Sequence, residues 1–173
     1  MKLPSLAPAR MAAYVLLALG SLAAGASSGA ADSPARFGDY PATEMLNGAA
    51  RNPDFSGRDK SHRSMRTRIR EGVAAGMNFG GHYTLIEIGC GGSCRFAKVV
   101  DLRTGEVGNF PYGGEEQYQM MISYRPASRL VKARWKGDWD SPDCTEVDVI
   151  IEGMDWRVVR EARAPQVNGY CDY

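Results

Sequence analysis

The chain has 173 residues, with 21 Lys and Arg against 20 Asp and Glu, so its net charge is +1 at neutral pH. A near-neutral chain has no long-range attraction for nucleic acid or anionic membranes, and we expect neither as a partner. Beyond residue 31, no apolar stretch is long enough to cross a bilayer as a helix.

Residues 1–31 have the pattern of a secretory signal peptide. Lys2 and Arg10 stand before an apolar run over residues 11–25, and the small residues that follow offer three cleavage positions, Ala26, Ala30 and Ala31. A basic region, an apolar region and small residues in this order predict export. The alternative is an uncleaved anchor, but the apolar run has about 15 residues where a spanning helix needs about 20.

We therefore expect a periplasmic or secreted protein that loses residues 1–31, and with them Lys2 and Arg10, so that the net charge falls from +1 to −1. Residues 32–60 are rich in Gly, Pro, Ala, Asn and Asp and predict an extended lead-in, with a short helical turn over 41–47. Residues 61–173 predict a single domain with one hydrophobic core.

All four cysteines lie in the predicted mature chain: Cys90, Cys94, Cys144 and Cys171. An even number of cysteines in an exported protein favours disulfides, and four cysteines allow three pairings. We favour Cys90–Cys94, because a Gly-Gly-Ser turn separates them, together with Cys144–Cys171, which would fasten the C-terminal tail to the sheet. A crossed pairing of Cys90 or Cys94 with Cys171 remains open.

The segment 61–75 predicts the only helix. Met65, Ile69 and Val73 recur every four residues and form one apolar stripe. Ser61 or Asp59 is a suitable N-cap, and the glycine at position 76 is a typical helix end.

From residue 81 onward the pattern changes to a period of two, which predicts strands. In the first strand, Tyr83, Leu85 and Glu87 share one face. Further strands are predicted over 96–102, 106–110, 118–124, 130–135, 145–152 and 156–160, separated by short turns. We therefore expect a mainly β (α+β) fold, in which an antiparallel meander sheet of about seven strands carries one N-terminal helix and is stabilised by disulfides.

Three short runs of this sequence form a distinctive pattern. The runs are N-F-G-G-H-Y from position 78, G-C-G-G-S-C from position 89 and D-L-R-T-G-E-V from position 101. These runs resemble a family of small exported bacterial proteins, whose members show N-F-x-G-H-Y, G-C-G-x-x-C and D-x-x-T-G-x-V after an arginine-containing helix. The resemblance covers residues 66–110 and implies an exported β domain. It carries no activity, substrate or functional residue, since the family has no established activity.

The Gly-rich turn between Cys90 and Cys94 admits three interpretations. It can be a redox pair, an anion-binding nest of backbone N–H groups, or a disulfide-closed turn between two strands. We favour the last, because the spacing is C-x-x-x-C rather than the C-x-x-C of redox helices. A Cys–His nucleophile or a zinc site with His82 would need reduced cysteines, which an oxidising compartment disfavours.

Two acidic features remain candidates for chemistry. Asp138, Asp140 and Asp143 could hold Ca²⁺, but the loop departs from the EF-hand pattern and is better explained as a solvated acidic turn. Glu87 is a mid-strand carboxylate, and such a residue faces either solvent or a cleft. We predict no metal site and no cofactor, and no catalytic residue is assigned.

The helix carries arginines that could grip an anionic ligand, and we take Arg63, Arg66 and Arg70, with His82, as possible ligand contacts. Tryptophans and tyrosines in the second half of the chain are equally compatible with a core or a binding surface; they are Trp135, Trp139, Trp156, Tyr112, Tyr118 and Tyr124.

These features predict a non-enzymatic binding or interaction protein of the cell envelope, with an envelope protein or a glycan as its partner. It would contact the partner through loops at one end of the sheet. The alternative is an envelope enzyme, either a thiol–disulfide protein using Cys90 and Cys94 or a hydrolase using Glu87 or His82.

Overall fold

A computed structural model describes residues 33–173, so the predicted signal peptide, residues 1–31, lies outside the described residues. Within residues 33–173 the chain forms one α-helix, α1 (Arg66–Ala75), and seven strands. The strands are β1 (Tyr83–Gly91), β2 (Cys94–Asp101), β3 (Glu106–Gly114), β4 (Tyr118–Tyr124), β5 (Leu130–Lys136), β6 (Asp143–Glu152) and β7 (Asp155–Pro165).

The expectation of one continuous sheet is wrong, because the strands form two antiparallel sheets. The first sheet has the order β1-β2-β3 and the second has the order β4-β5-β6-β7. The break lies between β3 and β4, where Gly113 and Gly114 adopt positive φ angles of 136° and 95°. The chain leaves the first sheet there and enters the second instead of turning back as another hairpin.

The two sheets pack face to face around the larger core. Leu85 from β1, Val99 from β2 and Met120 from β4 are almost fully buried in it, together with Val131 and Val149 from the second sheet. The predicted alternation of β1 is confirmed, because Tyr83 and Leu85 face this core while Ile86 and Ile88 belong to a second core on the opposite face.

Helix α1 covers that opposite face of the first sheet. Ile69 and Val73, which the sequence pattern placed on the apolar stripe, are buried against Ile86 and Ile88. The helix approaches β1 so closely that a Cβ on Gly72 would lie 2.4 Å from a side-chain carbon of Ile86. The domain therefore has three layers, a helix, a three-stranded sheet and a four-stranded sheet.

The helical segment begins with a 3₁₀ turn, Lys60–Met65, before α1. Asp59 occupies the N-cap position of the 3₁₀ turn, as predicted, but no side-chain cap hydrogen bond is formed at either start. The Asp59 carboxylate instead accepts hydrogen bonds from the backbone N–H groups of Asp54 and Val107. It thereby fastens the lead-in to strand β3.

The rest of the lead-in lies against the domain as irregular chain. Its backbone N–H groups donate to carbonyls of the domain at three points, from Ala42, Leu46 and Arg51. The short helical turn in this segment is Phe37–Asp39 rather than the predicted 41–47. Among residues 33–173, no helix combines the length and hydropathy needed to cross a membrane.

Candidate ligand-binding cleft

Three loops and the C-terminal tail meet at one end of the two sheets. Because consecutive strands are antiparallel, the β1–β2, β3–β4 and β5–β6 connections all emerge at the same end, and so does the tail after β7. The Gln119 N–H donates to the Ser93 carbonyl at 3.3 Å, and the Gln166 amide donates to the Ser141 carbonyl. We call this region the loop end.

A cleft of about 490 Å³ opens at the loop end between the sheets. Its walls come from β1, β2, β4 and the tail, and its lining residues are Glu87, Ile88, Gly89, Ser93, Cys94, Arg95, Gln119, Met120, Met121, Tyr170, Cys171 and Asp172. The lining combines thioether and disulfide sulfur with carboxylate, guanidinium and amide groups. A mixture of apolar surface and a few polar groups is typical of small-ligand sites.

Both disulfides contribute to the cleft walls. The favoured pairing, Cys90–Cys94 with Cys144–Cys171, is confirmed. Cys94 lines the cleft at the start of β2, and Cys171 lines it in the tail. Cys144 and Cys171 are fully buried, whereas Cys90 is exposed. The Cys90–Cys94 bridge joins residues that are four apart in the sequence. The Cys144–Cys171 bridge ties the tail to β6 across a sequence separation of 27.

Glu87 and Arg95 form an ion pair inside the cleft. Arg95 Nη1 donates to Glu87 Oε2 at 2.8 Å, and the side chains are 38% and 29% exposed for Arg95 and Glu87 respectively. The Tyr124 hydroxyl lies 3.5 Å from Glu87 Oε1. Burial raises the pKa of Tyr124, and the Glu87 carboxylate raises it further. The mid-strand carboxylate thus faces a cleft, one of the two environments that the sequence left open.

The cleft also contains backbone strain. Ser93 and Gln119 adopt positive φ angles of 69° and 55°, which residues other than glycine rarely adopt. Gln119 lies where the β4–β5 register shifts, between Tyr118 and Met121. Its buried side-chain oxygen has no hydrogen-bond partner within residues 33–173. Strain and an unsatisfied buried acceptor cost free energy, and they concentrate at sites that bind ligands.

The predicted aromatic residues divide between the core and the loop end. Trp135 is buried and Trp156 lies partly buried against the same core. Trp139 is 70% exposed, and its ring centre lies 5.3 Å from that of Tyr118. Tyr118 also borders a second hollow, of about 360 Å³, beside the Cys90–Cys94 turn. The loop end therefore carries an aromatic pair beside this second hollow, in which Trp139 is exposed and Tyr118 is partly buried.

The possible ligand contacts chosen on the helix lie elsewhere. Arg63, Arg66 and Arg70 are exposed along the helical segment, and Arg70 lies over the Phe55 ring at 5.5 Å. His82 is only 3% exposed; its Nδ1 lies 3.4 Å from the Glu44 carbonyl. The structure does not bring His82 to the surface that carries the arginines, and none of the four lines the cleft.

The acidic loop after β5 forms a local turn. The Ser141 hydroxyl donates to Asp138 at 3.0 Å, and Trp139 and Asp140 are exposed. Within residues 33–173, no three His, Cys, Asp or Glu side chains converge in a way that could hold a metal ion. The geometry therefore adds nothing to the Ca²⁺ interpretation of Asp138, Asp140 and Asp143.

Sequence reasoning missed two cleft features, Gln119 and the tail at 170–172. Gln119 sits in an ordinary strand pattern, and its strain arises from a register shift that no local signal marks. The tail had one available signal, because the favoured Cys144–Cys171 bridge requires residue 171 to lie on the sheet.

No protein-family model, curated protein or solved structure matches this chain. The resemblance to a family of small exported bacterial proteins therefore stays a prediction.

Proposed function

We propose that this protein is a non-enzymatic binding domain of the cell envelope, periplasmic or secreted, that takes its ligand in the loop-end cleft. One observation carries the proposal: Cys94 and Cys171, which belong to different disulfides, line the same cleft. Covalent closure at both residues holds the site in shape before a ligand arrives. Preorganisation of this kind lowers the entropic cost of binding.

The chemistry of the cleft supports binding rather than catalysis. The Glu87 carboxylate is engaged by the Arg95 guanidinium, and all four cysteines are oxidised. Both side chains of this ion pair are partly exposed. They can therefore orient a polar ligand, and a charged ligand group can replace one member of the pair. The unsatisfied Gln119 oxygen offers one further acceptor.

The location outside the cytoplasm is supported by the two disulfides, because such bridges persist in oxidising compartments. The signal-peptide pattern of residues 1–31 points the same way. An envelope protein or a glycan remains the expected partner.

The test is retention of envelope components by the immobilised, oxidised protein. Arg95→Ala removes the cleft guanidinium, and the matched control Arg157→Ala removes an exposed guanidinium that pairs with Glu152 at the β6–β7 turn. We expect one protein or glycan to be retained equally by the wild type and by Arg157→Ala, and its retention to change with Arg95→Ala, which breaks the ion pair with Glu87. Equal retention by both variants, or retention of nothing, would contradict the proposal.

A second candidate is thiol–disulfide exchange at Cys90–Cys94, favoured by the exposure of Cys90 beside the second hollow. In that reaction the bridge takes two electrons and two protons from a partner dithiol, which becomes a disulfide. Turnover of a reduced dithiol substrate, abolished in a Cys90→Ser, Cys94→Ser double variant that keeps its fold, would favour this function. A hydrolase acting through Glu87 would instead lose turnover in Glu87→Gln.

A further inference from the structure

The outer edge of β3 is closed by the protein itself. The Val107 N–H donates to Asp59 at 3.0 Å, and the Asn109 carbonyl accepts from the Trp156 indole at 2.9 Å. Position 111 is a proline, which has no N–H, and the Gly113 N–H donates to the Gln117 side chain at 3.1 Å. An edge strand offers unpaired backbone groups to other chains, and here every outward-facing position has one such group engaged or, at the proline, missing.

The opposite edge of the same sheet, along β1, is closed only in its first half. The Tyr83 N–H donates to the Phe79 carbonyl at 3.0 Å. The Leu85 N–H donates to the Asn78 side chain at 2.8 Å, and the Leu85 carbonyl accepts from it at 3.0 Å. Residues 83 and 85 therefore direct their backbone groups away from β2.

Backbone direction alternates along a strand, so residues 87 and 89 also direct their N–H and C=O groups outward. Within the described part of the chain, no hydrogen bond reaches those outward groups of Glu87 or Gly89. Both residues line the cleft. The free half of the β1 edge is thus a wall of the proposed binding site.

The loops and tail around the cleft are acidic. They carry Glu115, Glu116, Asp138, Asp140 and Asp172, all exposed, and contain no lysine or arginine. Inside the cleft, Glu87 adds a carboxylate that is 29% exposed and is paired with Arg95 at 2.8 Å. This surface complements a positively charged ligand, and the exposed Trp139 ring can add cation–π contacts.

We propose that an extended, basic peptide segment of a partner protein binds here by strand addition, pairing with the β1 edge at Glu87 and Gly89. The proposal rests on the proposed function and names the ligand class of that site. Strand addition uses backbone hydrogen bonds for affinity and alternate side chains for specificity. Alternate side chains of the peptide enter the cleft beside Glu87, and a lysine or arginine there replaces Arg95 as the partner of its carboxylate.

A random library of linear synthetic peptides, screened against the oxidised protein, supplies the probe. We expect the selected peptides to share a lysine or arginine and to bind Gly89→Pro about tenfold more weakly or worse, since proline removes the N–H and obstructs the edge. The matched control is Gly89→Ala, which keeps the N–H. A Cβ at this position has nothing within 4 Å, so this variant should fold as the wild type does and should bind the peptides more tightly than Gly89→Pro.

N-methylation of the selected peptide, one position at a time, tests the pairing without any change to the protein. Strand addition predicts lost binding at alternate positions only, because every second N–H faces β1. Loss at no position or at consecutive positions overturns strand addition, even if Gly89→Pro fails to fold.

The two proposals fail in different ways. If an oligosaccharide or another non-peptide binds and Arg95→Ala changes that binding, the cleft is the ligand site but the peptide inference is wrong. If neither peptides nor envelope components bind in a manner sensitive to Arg95→Ala, the proposed function itself is wrong.

Discussion

The Asn78 side-chain amide donates to the Leu85 carbonyl at 3.0 Å and accepts from the Leu85 N–H at 2.8 Å. One side chain therefore occupies the place of a neighbouring strand at the β1 edge. This covered part of the edge ends at Leu85, and the cleft begins at Glu87. The outward backbone groups of Glu87 and Gly89 are therefore left for a ligand.

Asn78→Ala should destabilise the protein by about 1–3 kcal/mol, because two backbone groups at a partly buried edge lose their partners. The matched control is Asn109→Ala, since Asn109 is exposed and its side chain bonds only Lys98. That change should fall within about 0.5 kcal/mol of the wild type. Denaturant unfolding measures both variants. An equal effect for the two would show that Asn78 does not close the edge.

The two disulfides should differ in their contribution to stability. Replacing Cys144 and Cys171 by alanine opens a loop of sequence separation 27, and replacing Cys90 and Cys94 opens one of separation 4. Loop-closure entropy predicts a loss of about 3–4 kcal/mol for the first pair and about 2 kcal/mol for the second. Thermal unfolding of the two double variants tests this order, and the reverse order would contradict it.

Reduction should also distinguish the bridges. Cys90 is exposed, whereas Cys144 and Cys171 are fully buried. A mild thiol reductant should open Cys90–Cys94 while the protein remains folded, because thiolate attack requires access to a sulfur. Alkylation and peptide mapping identify the opened bridge. Earlier labelling of Cys144 and Cys171 would mean that the tail opens more readily than the turn.

Alkaline pH should weaken the fold through Tyr83. Burial, reinforced by the Asp101 carboxylate, raises the pKa of Tyr83 to about 12. An unfolded tyrosine titrates near 10, so the unfolded state loses its proton first and stability falls between about pH 10 and 12. Over this range the wild type should lose about 2 kcal/mol more than Tyr83→Phe.

Tyr83→Phe also loses the hydrogen bond from the hydroxyl to the Gly153 carbonyl at 2.7 Å, so it should be less stable at neutral pH. The pH dependence, rather than the absolute stability, is therefore the quantity to compare. Tyr170→Phe serves as the control, since Tyr170 is 54% exposed. Identical slopes for wild type and Tyr83→Phe would remove Tyr83 as the cause.

The strands, the helix and the disulfides could be predicted because their signals are local. Ile69 and Val73 mark the helix face by their spacing, and Tyr83, Leu85 and Glu87 mark one strand face by alternation. Gly105 and Gly153 adopt positive φ angles of 75° and 67° at the predicted hairpin turns. Turn chemistry and periodicity act within a few residues, so sequence alone is sufficient for them.

The division into two sheets could not be predicted, because alternation defines a strand but not its partner. Asp59 shows the same difficulty: its sequence position favours a helix cap, but its carboxylate reaches Val107, which is 48 residues away along the chain. The cleft depends on such long-range placement of Glu87, Gln119 and the tail. The predicted Cys144–Cys171 bridge is the one long-range constraint that the sequence provides, and the structure confirms it.

Amide hydrogen exchange of the protein with and without a selected peptide tests the central claim most directly. Strand addition at the cleft predicts slower exchange for the N–H groups of Glu87 and Gly89 in the complex. The N–H of Val107, which already donates to Asp59, should exchange at an unchanged rate. Unchanged exchange at both Glu87 and Gly89 when the peptide is saturating would contradict the account.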